Sequence, residues 1–109
     1  MRVLVTRPQP GADETAARLA TLGHEPIVLP LTRTVPVQAP AWREIERHDA
    51  IVATSASAIA HIPQPLREAV RTLPLHAVGE RTADLARRSG FADVAAPFAD
   101  ADDLVASLP

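Results

Sequence analysis

Apolar residues return along this chain in two alternating patterns: short unbroken aliphatic runs, and longer stretches with an apolar residue every third or fourth position. Val3-Leu4-Val5 is the first run; it stops at Thr6-Arg7-Pro8 and predicts a buried strand. Residues 11–22 predict a helix, with Ala16, Leu19 and Ala20 on one face, Glu14 four positions before Arg18, and Gly23 as the C-terminal cap. Glu25-Pro26-Ile27-Val28-Leu29 predicts a second strand, at an edge or terminal position because Pro26 has no N–H to donate to a ladder. Strand, helix of about three turns and strand make the βαβ unit of parallel-sheet proteins.

Residues 30–40 break the pattern. They hold Pro30, Pro36 and Pro40, alternate polar and apolar residues through Thr32-Arg33-Thr34-Val35, and have no helical period, which predicts an extended connector. Residues 41–48 then predict a short helix with Trp42 and Ile45 facing inward, and Ala50-Ile51-Val52-Ala53 a third strand that ends at Thr54-Ser55. A helical turn through Ala58-Ile59-Ala60 stops before Pro63, and Pro65 opens a helix whose inward face is Leu66, Ala69, Val70 and Leu73. His76-Ala77-Val78 predicts a fourth strand ending at Gly79. Residues 80–89 predict a helix with Arg87 and Arg88 in its last turn and Gly90 as cap. Ala92-Asp93-Val94-Ala95 predicts a fifth strand, and residues 100–108 a last helix whose opening acids suit the helix dipole. Alternating strands and helices define an α/β protein with a mainly parallel sheet and flanking helices.

Composition narrows the chemistry. With 109 residues the chain forms one small domain or part of something larger, and 47% hydrophobic content argues for a globular core. That core is aliphatic, since Trp42, Phe91 and Phe98 are the aromatic residues and tyrosine is absent. Without cysteine there are no disulfides, thiolate metal sites or cysteine nucleophiles. A net charge of −2 argues against broad binding to nucleic acid or anionic membranes. No apolar run reaches membrane-spanning length, and the opening run is too short for a signal peptide, so a soluble cytoplasmic protein is expected.

One arrangement occurs three times: a short strand runs into a hydroxyl or glycine turn and then a helix. The turns are Thr6-Arg7, Thr54-Ser55-Ala56-Ser57 and Gly79-Glu80-Arg81-Thr82. In a parallel sheet such turns lie at the carboxyl edge of the strands, where open α/β folds bind ligands. Each presents backbone N–H groups at a helix start, suited to carboxylate or phosphate. Serine and threonine are also ordinary N-cap residues, so one turn alone reads as a cap, and it is the recurrence that predicts an anion-binding crevice. Other candidates read as structural. His24, His48, His61 and His76 lack metal-ligand spacing and suit solvated or capping roles, while Asp100, Asp102 and Asp103 fit a helix start. No glycine-rich phosphate loop and no nucleophile–base pair is present, so no metal and no cofactor is expected.

The ordered set of motifs resembles the uroporphyrinogen-III synthase family. It is carried by Val3-Leu4-Val5-Thr6-Arg7-Pro8, Leu22-Gly23-His24-Glu25, Leu29-Pro30-Leu31, Asp49-Ala50-Ile51-Val52-Ala53-Thr54-Ser55-Ala56-Ser57-Ala58, Ala77-Val78-Gly79-Glu80-Arg81-Thr82-Ala83 and Gly90-Phe91. Ser57 stands where the family more often has asparagine. The resemblance implies a two-lobed fold in which the chain starts one lobe, crosses, builds the second and returns. Residues 1–30 would then be the opening βαβ of the first lobe, residues 31–40 the outgoing connector, and residues 41–109 an incomplete second lobe. It also implies the reaction: hydroxymethylbilane, a linear tetrapyrrole with carboxylate side chains, loses its hydroxyl and closes through a spiro intermediate that inverts the last ring, in porphyrin biosynthesis. The implied substrate-contacting residues are Thr6, Arg7, Thr54, Ser55, Ala56, Ser57, Gly79, Glu80 and Thr82. The family's return half, with a second Thr-Ser turn and a tyrosine near the cleft, is not in this sequence, so the chain is expected to be inactive alone and to self-associate through exposed faces and sheet edges. Two readings from other classes stand beside this one. The first is a catalytically silent module that binds anionic ligands. The second is a response-regulator-type domain, which is disfavoured because Asp13 and Asp49 lie away from the strand ends.

Overall fold

The computed structural model of the chain describes residues 1–38, 44, 47–95 and 97–109. It divides into two compact units, Met1–Val35 and Pro36–Pro109.

The first unit is a βαβ motif of β1 (Arg2–Val5), α1 (Gly11–Thr21) and β2 (Glu25–Val28). The strands pair in parallel, with Leu4 opposite Ile27 and Val5 opposite Val28. Two more bonds extend the ladder, from Leu29 N–H to the Val5 carbonyl (2.9 Å) and from Leu31 N–H to the Thr6 carbonyl (3.1 Å). β2 is an edge strand of this two-stranded sheet, consistent with Pro26. Gly23 at φ 82° ends α1: its N–H bonds Ala20 and that of His24 bonds Leu19, the Schellman pattern. Burial differs from the sequence expectation in two places. β1 is not a buried strand, since Val5 is buried but Leu4 is 56% exposed, because a two-stranded sheet with one helix covers only one of its faces. On α1 the inward residues are Ala12, Thr15, Ala16 and Leu19, while Ala20 is exposed. At 3.6 residues per turn Ala20 lies roughly 80° from Ala12, at the margin of the stripe.

The second unit contains β3 (Ile51–Ala53), α2 (Ala56–Ala60), α3 (Gln64–Val70), β4 (Leu75–Ala77), α4 (Glu80–Arg88) and α5 (Ala101–Ser107). β3 and β4 are parallel, with Ile51 opposite Leu75 and Ala53 opposite Ala77. The predicted fifth strand is absent as an element. Two single parallel bridges, Leu75 to Val94 and Val78 to Phe98, take its place on the far side of β4. The bonding explains why. Ala95 N–H reaches the Leu75 carbonyl and Phe98 N–H the Ala77 carbonyl, both at 2.9 Å, so three steps of this segment span two steps of β4. Pro97 has no N–H and cannot be the donor that a regular ladder requires there.

Leu75, Ala77, Ala83 and Ala86 have no exposed surface and form the core with Ala53, Ile59, Val70 and Phe91. The alanines of β4 and α4 leave little side-chain volume between helix and sheet, which suits close packing. α3 is shorter than its apolar spacing suggested. It ends at Val70, so Leu73 lies beyond it, and Ala69 is exposed, leaving Leu66 and Val70 to face inward. Asp100 caps α5, accepting from Asp103 N–H at 2.8 Å, while Asp103 Oδ2 accepts from Ala99 N–H at 3.2 Å. These two bonds account for both acids as helix-start residues, Asp100 as the N-cap and Asp103 as acceptor for the amide just before that cap. The helix expected over residues 41–48, with Trp42 and Ile45, lies largely outside the described residues. Among the described residues no helix is long and apolar enough to cross a membrane.

Candidate functional site

Two of the three strand-end turns fall in the second unit, and the topology sets them side by side. Because β3 and β4 are hydrogen-bonded neighbours running the same way, Thr54-Ser55-Ala56-Ser57 and Gly79-Glu80-Arg81-Thr82 leave the sheet at one carboxyl edge. Neighbouring strands lie about 5 Å apart. Val78 N–H donates to the Ala53 carbonyl at 2.9 Å and pins the two strand ends together.

At the first of these turns Ser55 is extended (φ −149°, ψ 134°), and its Oγ accepts from Ser57 N–H at 3.1 Å. Its carbonyl accepts from Ala58 N–H, also at 3.1 Å. α2 is therefore capped from within, and its first amides are partly occupied. The Ser55 hydroxyl still has its own proton to donate. Thr54 and Ser55 are exposed; Ala56 and Ser57 are half-buried. The second turn is more open. Gly79 sits at φ 80°, ψ 144°, offers no capping oxygen, and a Cβ placed on it would meet nothing within 4 Å. Its N–H is bonded to the Phe98 carbonyl at 2.9 Å, which fixes the orientation of the turn. Glu80 is exposed and, as a carboxylate, suits an anion only through its backbone N–H. Thr82 is 5% exposed and lies on the buried side of α4 with Ala83 and Ala86, so its side chain belongs to the core rather than the edge. Together the edge supplies hydroxyl donors from Thr54 and Ser55 beside a backbone opening without a side chain.

The Thr6-Arg7 turn belongs to the first unit and is organised differently. Thr6 and Arg7 are exposed, but Arg7 folds back along α1: its Nη1 donates to Thr15 Oγ1 at 3.1 Å. A Cβ on Gly11 would lie 2.7 Å from Arg7 Nε, so glycine at this position is what lets the guanidinium rest there. The opening amides of α1 are already bonded, Ala12 N–H to the Pro8 carbonyl (3.1 Å) and Asp13 N–H to Gln9 Oε1 (3.2 Å). Gln9 Nε2 returns a bond to Asp13 Oδ1 at 2.8 Å. This reciprocal Gln9–Asp13 pair was missed in the sequence, although its four-residue spacing is a signal for side-chain contact on a helix. His61 was legible as a capping residue: its Nδ1–H donates to the Ser57 carbonyl at 2.8 Å.

A sequence model of one protein family, described as uroporphyrinogen-III synthase HemD, matches residues 13–109. The match takes in most of α1, β2 and the second unit, and leaves β1 and the Thr6-Arg7 turn outside it. No curated protein matches the chain.

Proposed function

Since the chain belongs to the uroporphyrinogen-III synthase family, we propose that it serves the closure of hydroxymethylbilane to uroporphyrinogen III by holding substrate carboxylates at its strand-end turns. The observation that carries this reading is the pairing of exposed Thr54 and Ser55 with the unobstructed Gly79 turn on one edge of a parallel sheet. The reaction places unusual weight on holding. The substrate loses water to give an electrophilic azafulvene, and its free chain then closes without ring inversion. Inversion through a spiro intermediate requires one particular fold of the tetrapyrrole, which fixed donors around its carboxylates impose by geometry. Hydroxyls and backbone amides suit that task because they do not titrate near neutral pH.

Ser55 is the centre of the proposed contact, with Thr54 beside it and the amides of Ala56 and Glu80 completing the edge; Ser57 N–H holds the Ser55 hydroxyl in place and Gly79 leaves the approach open. Within the first unit, exposed Thr6 and Arg7 offer a hydroxyl and a guanidinium to a carboxylate on their own account. Thr82 supports α4 from within. The part proposed for these residues is retention of the substrate carboxylates.

Two measurements on the chain test this. Uroporphyrinogen III, titrated anaerobically, binds saturably and far more tightly than citrate at equal ionic strength. Equal affinity for both would favour a catalytically silent module that takes any polyanion, and absence of saturable binding would sink both readings. With hydroxymethylbilane the chain alone is expected to yield the uninverted isomer at the spontaneous rate; accumulation of the inverted isomer would show that it needs no further group.

A further inference from the structure

The opposite edge of the second unit's sheet holds a polar cavity that the carboxyl-edge turns do not use. α3 ends just before β4 starts, and α4 runs back from Gly79 to finish at that same amino-terminal edge. Backbone bonds join the two regions, Ala92 N–H to the Arg71 carbonyl at 3.1 Å and Leu75 N–H to the Asp93 carbonyl at 2.8 Å. Between α3 and the end of α4 lies a cavity of about 290 Å³ lined by Gln64, Arg67, Glu68, Arg71, Ser89 and Gly90.

Its lining is unbalanced. Arg67 and Arg71 stand four residues apart on one helical face, and neither forms an ion pair with a described residue. Arg67 Nε is buried and has no hydrogen-bond acceptor. The carboxylate on the wall, Glu68, accepts from Gln64 Nε2 at 3.0 Å, so two guanidiniums face one partly engaged carboxylate. The negative end of α4 is also quieted: Ser89 N–H bonds the Leu85 carbonyl (2.9 Å), Gly90 N–H that of Arg87 and Phe91 N–H that of Ala86 (both 3.2 Å). Ser89 is half-buried and has a hydroxyl to donate.

A buried guanidinium N–H without an acceptor is costly, and paired guanidiniums recognise carboxylate and phosphate through forked, charge-assisted bonds. We propose that this cavity binds a small oxyanion, a carboxylate or phosphate group, with the Arg67 and Arg71 guanidiniums as donors and Ser89 as a neutral third. This site lies across the sheet from the proposed tetrapyrrole edge and stands independently of it.

The test follows the arginine Nε–H resonances of the ¹⁵N-labelled chain while sodium phosphate, and separately sodium acetate, replaces sodium chloride at fixed ionic strength. A saturable shift of the Arg67 Nε–H is expected. Response to phosphate alone assigns a phosphate-bearing ligand, and response to acetate alone a carboxylate. Arg67→Gln should weaken binding about tenfold, the loss of one charge-assisted bond. Arg71→Gln, at an exposed position where folding is safe, should weaken it severalfold, and Ser55→Ala should leave it unchanged. A linear drift equal to that in chloride, or a saturable response equally strong in both arginine variants, overturns the proposal.

Discussion

Replacing Gly79 by alanine separates strain from obstruction at the proposed site. Gly79 adopts φ 80°, ψ 144°, a region that glycine occupies without penalty and other residues do not. The backbone has little freedom to move away. Its N–H is bonded to Phe98 at 2.9 Å and its carbonyl accepts from Ala83 N–H at 3.2 Å. The added methyl meets nothing within 4 Å, so steric overlap contributes nothing. Strain costs about 1–3 kcal/mol, offset by about 0.4–1 kcal/mol from the smaller entropy of the unfolded alanine chain. The net destabilisation is centred on about 1.3 kcal/mol, within a range of about 0–2.6 kcal/mol, and each kcal/mol lowers the midpoint of a small domain by about 4–8 °C. Thermal and urea unfolding followed by circular dichroism read this directly. The same methyl stands where a carboxylate would approach the backbone, so uroporphyrinogen III affinity should fall by about tenfold, equivalent to about 1.4 kcal/mol. Gly90→Ala is the control: Gly90 has φ 95° and open space around it, at the far end of α4. It should lose stability and keep tetrapyrrole affinity. A Gly79→Ala protein that melts with the parent would refute the strain argument, and one that melts early but binds fully would refute the obstruction.

Leu75→Ala removes a side chain with no exposed surface from the central strand, and should cost about 2–5 kcal/mol in urea unfolding. Asp100→Ala deletes the cap of α5 and should cost about 0.5–2 kcal/mol, whereas Asp100→Asn keeps an accepting oxygen and most of the stability. Glu80→Gln removes an exposed carboxylate beside the proposed anion edge. Stability should fall slightly, because Glu80 is an acid in the first turn of α4, while uroporphyrinogen III binds up to about fivefold more tightly, as expected for an exposed charge interaction of about 0.2–1 kcal/mol.

The order of elements was readable because each rests on local chemistry. Gly23 and Gly90 end helices through positive φ, Ser55 and Asp100 begin them through a capping oxygen, and Pro26 marks an edge strand. Burial was less readable, because it depends on what lies across the sheet. Val3-Leu4-Val5 has the composition of a covered strand, yet Leu4 is 56% exposed, because within its own unit one helix covers one face of the sheet. Likewise Thr82 has the same chemistry as Thr54, but its place as the third residue of α4 puts it on the inner side with Ala83 and Ala86. The fifth strand, expected over residues 92–95, is reduced to a single bridge at Val94, and Pro97 beyond it has no N–H for the next regular bond to β4. The arginine cavity had no local signal. Arg67 and Arg71 look like ordinary solvated residues until the fold sets them at one cavity with Ser89 and Gly90, which is a consequence of tertiary structure.

Mapping where the ligand sits tests the main claim most directly. Backbone amide resonances of the ¹⁵N-labelled chain, recorded anaerobically across a uroporphyrinogen III titration, should move most at Thr54, Ser55, Ala56, Gly79 and Glu80, with a common saturation curve. Saturable binding whose largest shifts fall elsewhere in the second unit, with those five amides unmoved, would contradict the assignment of the carboxyl edge as the tetrapyrrole site.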